Sequence, residues 1–148
     1  MSETARSPGE PGGKFVAKSK EIRDHRDLRV WRKARKLAAL CAAAIAGFTG
    51  PHANPGKAIQ RLAEEVAEEI AAGQSTGQHA AYMDHLQRAR GALRHLERRL
   101  IEAYKEGALS SECGDPLLAR LAEIDRMLRK LMLSLELAYW GRAGKRTS

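Results

Sequence analysis

Five histidines and two cysteines are the side chains in this sequence best suited to bind a metal or to act as nucleophiles. A di-iron site in a helical bundle needs Glu-x-x-His pairs on facing helices, because carboxylates and imidazoles must converge on the metals. No acidic residue stands three positions before any histidine, and the five histidines are His25, His52, His79, His85 and His95. The sequence therefore predicts neither a metal site of this kind nor a cofactor.

Residues 50–57, GPHANPGK, superficially resemble a phosphate-binding loop. Five residues separate the two glycines where the motif has four, and neither Ser nor Thr follows Lys57. Cys41 and Cys113 lie too far apart in the sequence to form a Cys-x-x-Cys site or a disulfide framework. We therefore predict a protein without enzymatic activity, in which Cys41 is a small core residue.

The apolar residues between the two ends of the chain recur with a helical period, and no stretch alternates with period two for long enough to predict a strand. Asp27 is a suitable N-cap for the first helix, and Ser75 or Thr76 for the third. Asn54-Pro55 and Asp115-Pro116 are cap-then-proline starts for the second and fourth helices. The predicted helices span about residues 27–48, 55–73, 77–106 and 116–140. We expect residues 23–140 to form an all-α, antiparallel up-down four-helix bundle.

The two ends of the chain differ from this middle part. Residues 1–22 mix Ser, Gly, Pro and Lys and bury too little apolar surface to offset the entropy of ordering, which predicts a flexible N-terminal tail. Residues 141–148 predict a short basic C-terminal tail. The longest apolar stretch, 37–48, is shorter than the roughly 20 residues that span a bilayer, and no signal peptide is recognisable. We therefore predict a cytoplasmic protein that does not contact a membrane.

Basic residues outnumber acidic residues by 26 to 18, and the formal net charge of +8 favours polyanionic partners. Two predicted helices, the first and the third, carry rows of arginine and lysine away from their apolar stripes. Arginine suits phosphate because its planar fork matches two oxygens at once. The candidate contacts with RNA or DNA are Arg29, Arg32, Lys33, Lys36, Arg90, Arg94 and Arg98. The alternatives are an ordinary solvated face, or a scaffold that docks an acidic protein without binding nucleic acid.

Two further patterns point to contacts between copies of the chain. Leu133, Leu137 and Trp140 are spaced i, i+4, i+7 and lie roughly opposite the apolar seam of the fourth helix. Because a single bundle has one core to fill, this second stripe predicts a homo-oligomer interface; the alternative is a loop or tail that covers it. The second helix carries like-charged i, i+4 pairs, Glu64 with Glu68 and Glu65 with Glu69, which a neighbouring basic helix or subunit would relieve.

Three segments on three of the predicted helices together form a recognisable pattern. Residues 27–34, DLRVWRKA, resemble the motif D-L-x-V-W-x-K-A at the opening of the first helix. Residues 89–97, ARGALRHLE, resemble A-x-G-S-L-x-E-L-E on the third helix, and residues 123–128, EIDRML, resemble E-I-x-R-M-L on the fourth. In this order and spacing the motifs resemble those of the 23S ribosomal-RNA intervening-sequence (four-helix bundle) protein family. The second helix departs from the pattern: the family has S-I-P-x-N-I-A-E-G where residues 65–73 read EVAEEIAAG. The positions replaced are Glu65, Ala67, Glu69 and Ala72.

The resemblance implies a compact antiparallel bundle that assembles as a ring-like homopentamer and has no established enzymatic activity. A related branch, the accessory variability proteins of diversity-generating retroelements, implies a basic surface that binds a reverse transcriptase and nucleic acid. The resemblance and the pattern of charges therefore favour the same expectation, an oligomer with outward-facing basic helices.

Overall fold

The computed structural model describes the backbone of residues 25–147 and the side chains of residues 27–142. Four long helices account for most of it, namely α1 (His25–Ile45), α2 (Ala53–Thr76), α3 (His79–Lys105) and α4 (Ser111–Thr147). A 3-10 turn, Gly50–His52, joins α1 to α2, and the described residues form no strand. The prediction of an all-α four-helix bundle is confirmed. The predicted N-terminal tail, residues 1–22, lies outside the described residues.

The helices pack in the order of the chain around one core. α1 packs chiefly against α2 and α4, and α3 packs chiefly against the same two helices, so α1 and α3 occupy diagonal positions. Burial of each large aliphatic side chain contributes roughly 1.5–3 kcal/mol to folding. The largest fully buried side chains come from all four helices and are Val30, Leu37, Ile59, Val66, Ile70, Leu86, Leu93, Leu96, Leu100, Ile124, Leu128 and Leu131.

The start of α4 differs from the prediction, because the cap is Ser110 instead of Asp115. The Cys113 backbone N–H donates to Ser110 Oγ at 3.2 Å, and the Gly114 N–H donates to the Ser110 carbonyl at 2.7 Å. Since the first turns of a helix leave N–H groups without helical partners, a serine that accepts one of them is an effective start signal. Pro116 consequently lies inside the helix. At the other end α4 continues to Thr147, so the prediction that residues 141–148 form a separate basic tail is wrong for residues 141–147.

Predicted ends of other helices also differ from the structure. Asp27 lies within the first turn of α1, which begins at His25, and α1 ends at Ile45, three residues before the predicted end. Ser75 and Thr76, expected to begin α3, complete the last turn of α2 instead. Among the described residues, no helix is both long enough and apolar enough to cross a membrane.

Two glycines at the end of α2 have different roles. The predicted end at Gly73 is wrong, since α2 runs on to Thr76 and ends at Gly77, whose φ of +73° is the left-handed conformation that favours glycine. Gly73 is helical and buried, and it permits a close approach of α3. A Cβ atom on Gly73 would lie 2.8 Å from Tyr82 Cδ1 and 3.1 Å from His85 Cβ.

We predict that Gly73→Ala lowers the free energy of unfolding by roughly 1–3 kcal/mol, because the added methyl group overpacks the contact with Tyr82. The matched control is Gly91→Ala in α3, where an added Cβ meets only the Arg94 guanidinium at 4.0 Å. Removal of a helical glycine without a clash should raise stability by up to about 1 kcal/mol. Urea denaturation at one protein concentration measures both variants, and equal stabilities would contradict the close-approach explanation.

Candidate nucleic-acid interface

A groove between α1 and α4 collects positive charge from both helices. Arg29 from α1 and Arg126 and Lys130 from α4 line it, together with Glu123 and Met127. Glu123 Oε2 lies 3.3 Å from Lys33 Nζ, so this carboxylate is already compensated. Within the described part of the chain, the three lining cations make no ion pair. The groove therefore presents three uncompensated positive charges beside a neutral Lys33–Glu123 pair.

The predicted contact residues of α1 fall into two groups. Arg29, Arg32 and Lys36 are exposed, as a phosphate contact requires. Lys33 is half-buried and tied to Glu123 of α4, so its first role in this structure is to link the two helices. A partly exposed pair of this kind contributes at most about 1 kcal/mol to stability.

The predicted contact residues of α3 are divided in a similar way. Arg94 and Arg98 are exposed. Arg90 Nε donates to Asp125 Oδ1 at 2.9 Å, and the other oxygen of that carboxylate accepts from Arg129 Nε at 3.1 Å. Arg90 thus ties α3 to α4 through Nε, and its side chain is less exposed than those of Arg94 and Arg98.

The two basic rows do not form one surface by themselves, because α1 and α3 are diagonal and α4 lies between them. Sequence reasoning missed the α4 cations Arg126 and Lys130, which extend the α1 row across the groove. The sequence did contain a sign of them, because Arg126 and Lys130 are spaced i, i+4 on the fourth helix and lie away from its apolar seam. We call the exposed cations that line this groove, or continue its row along α1, the α1–α4 basic face. Its members are Arg29, Arg32, Lys36, Arg126 and Lys130.

The predicted interface residues form an exposed row on the outer side of α4, here called the apolar strip. Leu133, Leu137 and Trp140 are 61%, 66% and 63% exposed. These are the three most exposed of the large hydrophobic side chains in the described chain, so the bundle by itself leaves the strip uncovered. A contiguous apolar surface of this kind is typical of an interaction site.

The same turns of α4 are anchored to α3 on their other side. Tyr139 stacks on His79 with ring centroids 4.1 Å apart, and His79 Nε2 lies 2.6 Å from Glu136 Oε1. Trp140 Nε1 donates to the second Glu136 oxygen at 3.2 Å. The hydrogen bonds from His79 and then from Trp140 hold the pKa of the Glu136 carboxyl below its usual range. This end of α4 is therefore held in place while the strip faces outward.

Residues 73–77, GQSTG, carry the letters of the Gly-x-Ser-x-Gly nucleophile elbow. An elbow places its serine on a sharp strand-to-helix turn. Ser75 lies instead in the last turn of α2, where Oγ donates to the carbonyls of Ala72 at 3.1 Å and Ala71 at 3.3 Å. It makes no hydrogen bond with a histidine in the described structure. The pattern therefore gives no support for a nucleophile.

Two further histidines that could do chemistry are paired with glutamates, and one of the two cysteines is buried in the core. These two histidines pair with glutamates of other elements, His85 with Glu69 at 2.7 Å and His52 with Glu106 at 3.6 Å. Burial raises the pKa of the Cys41 thiol to about 12, so the reactive thiolate is suppressed. In the described residues, no three His, Cys, Asp or Glu side chains converge as metal ligands would.

One protein-family model, described as 23S rRNA-intervening sequence protein, matches residues 26–130. The matched range includes all seven cations predicted to bind nucleic acid and ends before Leu133, so the apolar strip lies outside it. No curated protein matches the sequence significantly. Because the match covers more than half of the chain and agrees with the four-helix architecture, this chain belongs to the 23S rRNA-intervening sequence protein family.

Proposed function

We propose that this protein is a non-enzymatic, self-associating four-helix bundle whose α1–α4 basic face binds the phosphate backbone of nucleic acid. The observation that carries the proposal is the groove in which Arg29, Arg126 and Lys130 stand together without acidic partners among the described residues. Arg32 and Lys36 extend it along α1. The family description, which refers to a ribosomal RNA, agrees with a nucleic-acid partner.

The chemistry of the face is phosphate neutralisation. An arginine fork matches two phosphate oxygens, and a lysine acts as a point charge beside it. Each neutralised phosphate releases condensed counterions, which makes binding strongly dependent on salt. Since contacts of this type position a nucleic acid without reading its bases, we expect little sequence specificity.

The test is the binding of a labelled RNA hairpin, measured by fluorescence anisotropy across a series of salt concentrations. If all five cations of the face contact phosphates, the slope of log K against log salt should be roughly −3.5 to −4.5. A DNA duplex of the same sequence measures the preference between the two nucleic acids. Absence of binding at low salt, or an affinity independent of salt, would overturn the proposal.

A second candidate function is a scaffold that docks an acidic protein, such as a nucleic-acid enzyme of the reverse-transcriptase kind. The specific observation in its favour is Met127, an adaptable apolar side chain that lies among the cations of the groove. In that case Met127→Ser should weaken capture of the protein partner, whereas RNA binding, which depends on the charges, should not change.

Self-association is the part of the proposal that depends on the apolar strip. A homopentamer, the state implied by the family resemblance, would have five times the chain mass of 16.3 kDa, about 82 kDa, by light scattering. We predict that Leu137→Asp with Trp140→Ala lowers the measured mass to that of one chain, because a buried unpaired carboxylate is costly in an apolar contact. Helical content by circular dichroism should stay unchanged, since both side chains face outward. A variant that keeps the wild-type mass would exclude the strip as the contact.

A further inference from the structure

A second groove, between α1 and α2, has a floor of small side chains. Ala38, Ala39 and Ala42 of α1 and Ala67 of α2 line it. Because alanine fills little of the space between two packed helices, larger side chains from outside can enter between the ridges of such a surface. Ala39 and Ala42 are exposed, so the floor is open to an incoming chain.

The α2 rim of this groove is acidic. Glu64 and Glu68 stand along it, are exposed, and make no ion pair within the described structure. The cation on the opposite rim, Arg35, lies over the Trp31 ring at 5.3 Å from its centroid instead of pairing with either carboxylate. Gln60 donates to Glu64 at 2.8 Å, and its own buried Oε1 accepts no hydrogen bond. The groove therefore combines apolar space, negative charge and one unused acceptor.

The apolar strip of α4 has the complementary properties. Its side chains are bulky where the floor of the groove is small. Cations flank it on the same helix: Arg129, which also pairs with Asp125, precedes Leu133, and Arg142 follows Trp140, both of them exposed. The strip is thus bulky and flanked by positive charge, whereas the groove is lined by small side chains and has a negative rim.

We infer that the apolar strip of one copy docks in the α1–α2 groove of a second copy, the acidic rim facing the cations beside the strip. This inference rests on the proposed self-association and adds the surface that receives the strip. Since the strip and the groove are different surfaces of one chain, the contact is heterologous. Repetition of a heterologous contact closes into a ring or continues as a filament, according to the rotation between neighbours.

Disulfide trapping tests the contact directly. In a Cys113→Ser background, which removes the exposed native thiol, one preparation carries Ala42→Cys and a second carries Leu137→Cys. Within one chain these positions are about 35 Å apart along the bundle axis. Lys33 of α1 lies beside Glu123 of α4, so these two residues are at the same height in the bundle. Because the two helices are antiparallel, Ala42 lies toward one end of the bundle from this pair and Leu137 lies toward the other end. A disulfide needs Cα atoms within about 7 Å, so only a bond between copies can form.

We expect the mixed preparations to give a disulfide-linked dimer that contains one copy of each variant after mild oxidation. The matched control is Ala43→Cys mixed with Leu137→Cys. Ala43 is also exposed on α1 but does not line the groove, so it should give at least tenfold less of the mixed dimer. Equal trapping at positions 42 and 43 would overturn the inference.

Blocking the groove separates the inference from the self-association on which it rests. Ala42→Trp fills the groove, and Glu64→Lys with Glu68→Lys reverses its rim; each should reduce the mass measured by light scattering to that of one chain. If the strip variants dissociate the assembly but the groove variants do not, the strip binds elsewhere and the groove inference is wrong, whereas self-association stands. If the wild-type protein already has the mass of one chain, the self-association and the groove inference are both wrong. The strip is then covered by residues of its own chain.

Discussion

Replacing Arg29, Arg126 and Lys130 together by glutamate is expected to weaken RNA binding roughly 100- to 1,000-fold. Three solvent-exposed phosphate contacts with a net contribution of about 1–1.5 kcal/mol each would be lost, and 1.4 kcal/mol is a factor of ten in affinity. The slope of log K against log salt should also become less steep by about 2–3, since three fewer phosphates are neutralised. Fluorescence anisotropy with the RNA hairpin measures both quantities.

The control for this experiment carries the same change in charge at a different place. Lys57, Arg61 and Lys105 are exposed cations of α2 and α3, away from the α1–α4 groove. Their replacement by glutamate lowers the formal net charge from +8 to +2, as in the test variant. If affinity depends on the groove, the control should lose much less than the test variant. Equal losses would show that only the overall charge of the protein attracts RNA.

Asp27→Ala is expected to lower the free energy of unfolding by roughly 2–4 kcal/mol, because it removes a buried carboxyl acceptor and leaves the buried Tyr82 hydroxyl without it. Asp27 is 2% exposed, and Tyr82 Oη donates to its Oδ2 at 3.0 Å. Its backbone carbonyl accepts from Gln74 Nε2 at 2.7 Å. Asp27 therefore links the first turn of α1 to α2 and α3, two residues before Arg29, the first cation of the basic face.

The measurement for Asp27 is urea denaturation at a fixed protein concentration, since self-association would otherwise change the apparent stability. Asp27→Asn keeps an acceptor for Tyr82 and should lose less than Asp27→Ala. In a double-mutant cycle, Asp27→Ala and Tyr82→Phe should cost less together than the sum of their separate costs, because both remove one shared interaction. Additive costs would contradict the proposed link.

The four helices and their buried faces could be predicted from the sequence because apolar periodicity is a local property. Val30, Leu37, Ile59 and Leu128 stand at positions of the apolar helical period, and all four are buried. The helix ends could not be placed as well, because several residues compete for each cap. Ser110 serves where Asp115 was expected, and Gly77 ends α2 where Gly73 was expected. The need for glycine at position 73 comes from the ring of Tyr82 on α3, which leaves no space for a Cβ atom there.

The candidate sites depended on the order of packing, which the period of a single helix does not contain. Spacing showed that Arg90 lies off the apolar face of α3, but Asp125, which holds it, is 35 residues away on α4. Lys33 and Glu123 are 90 positions apart in the sequence (33 to 123) and meet because α1 and α4 are neighbours. Arg126 and Lys130 lie on the basic face because α4, which carries them, packs beside α1.

The amino-acid sequence was thus sufficient to specify an all-α bundle, its family, its basic character and an apolar stripe left over on the last helix. Each of these follows from residue type and from spacing within one helix, where neighbours are three or four positions apart. The choice of which cations stay unpaired, and the meeting of an alanine-lined groove with an acidic rim, required the packed bundle. Salt screens the interaction of exposed charges beyond about 10 Å, so their partners are set by helix adjacency and not by order along the chain.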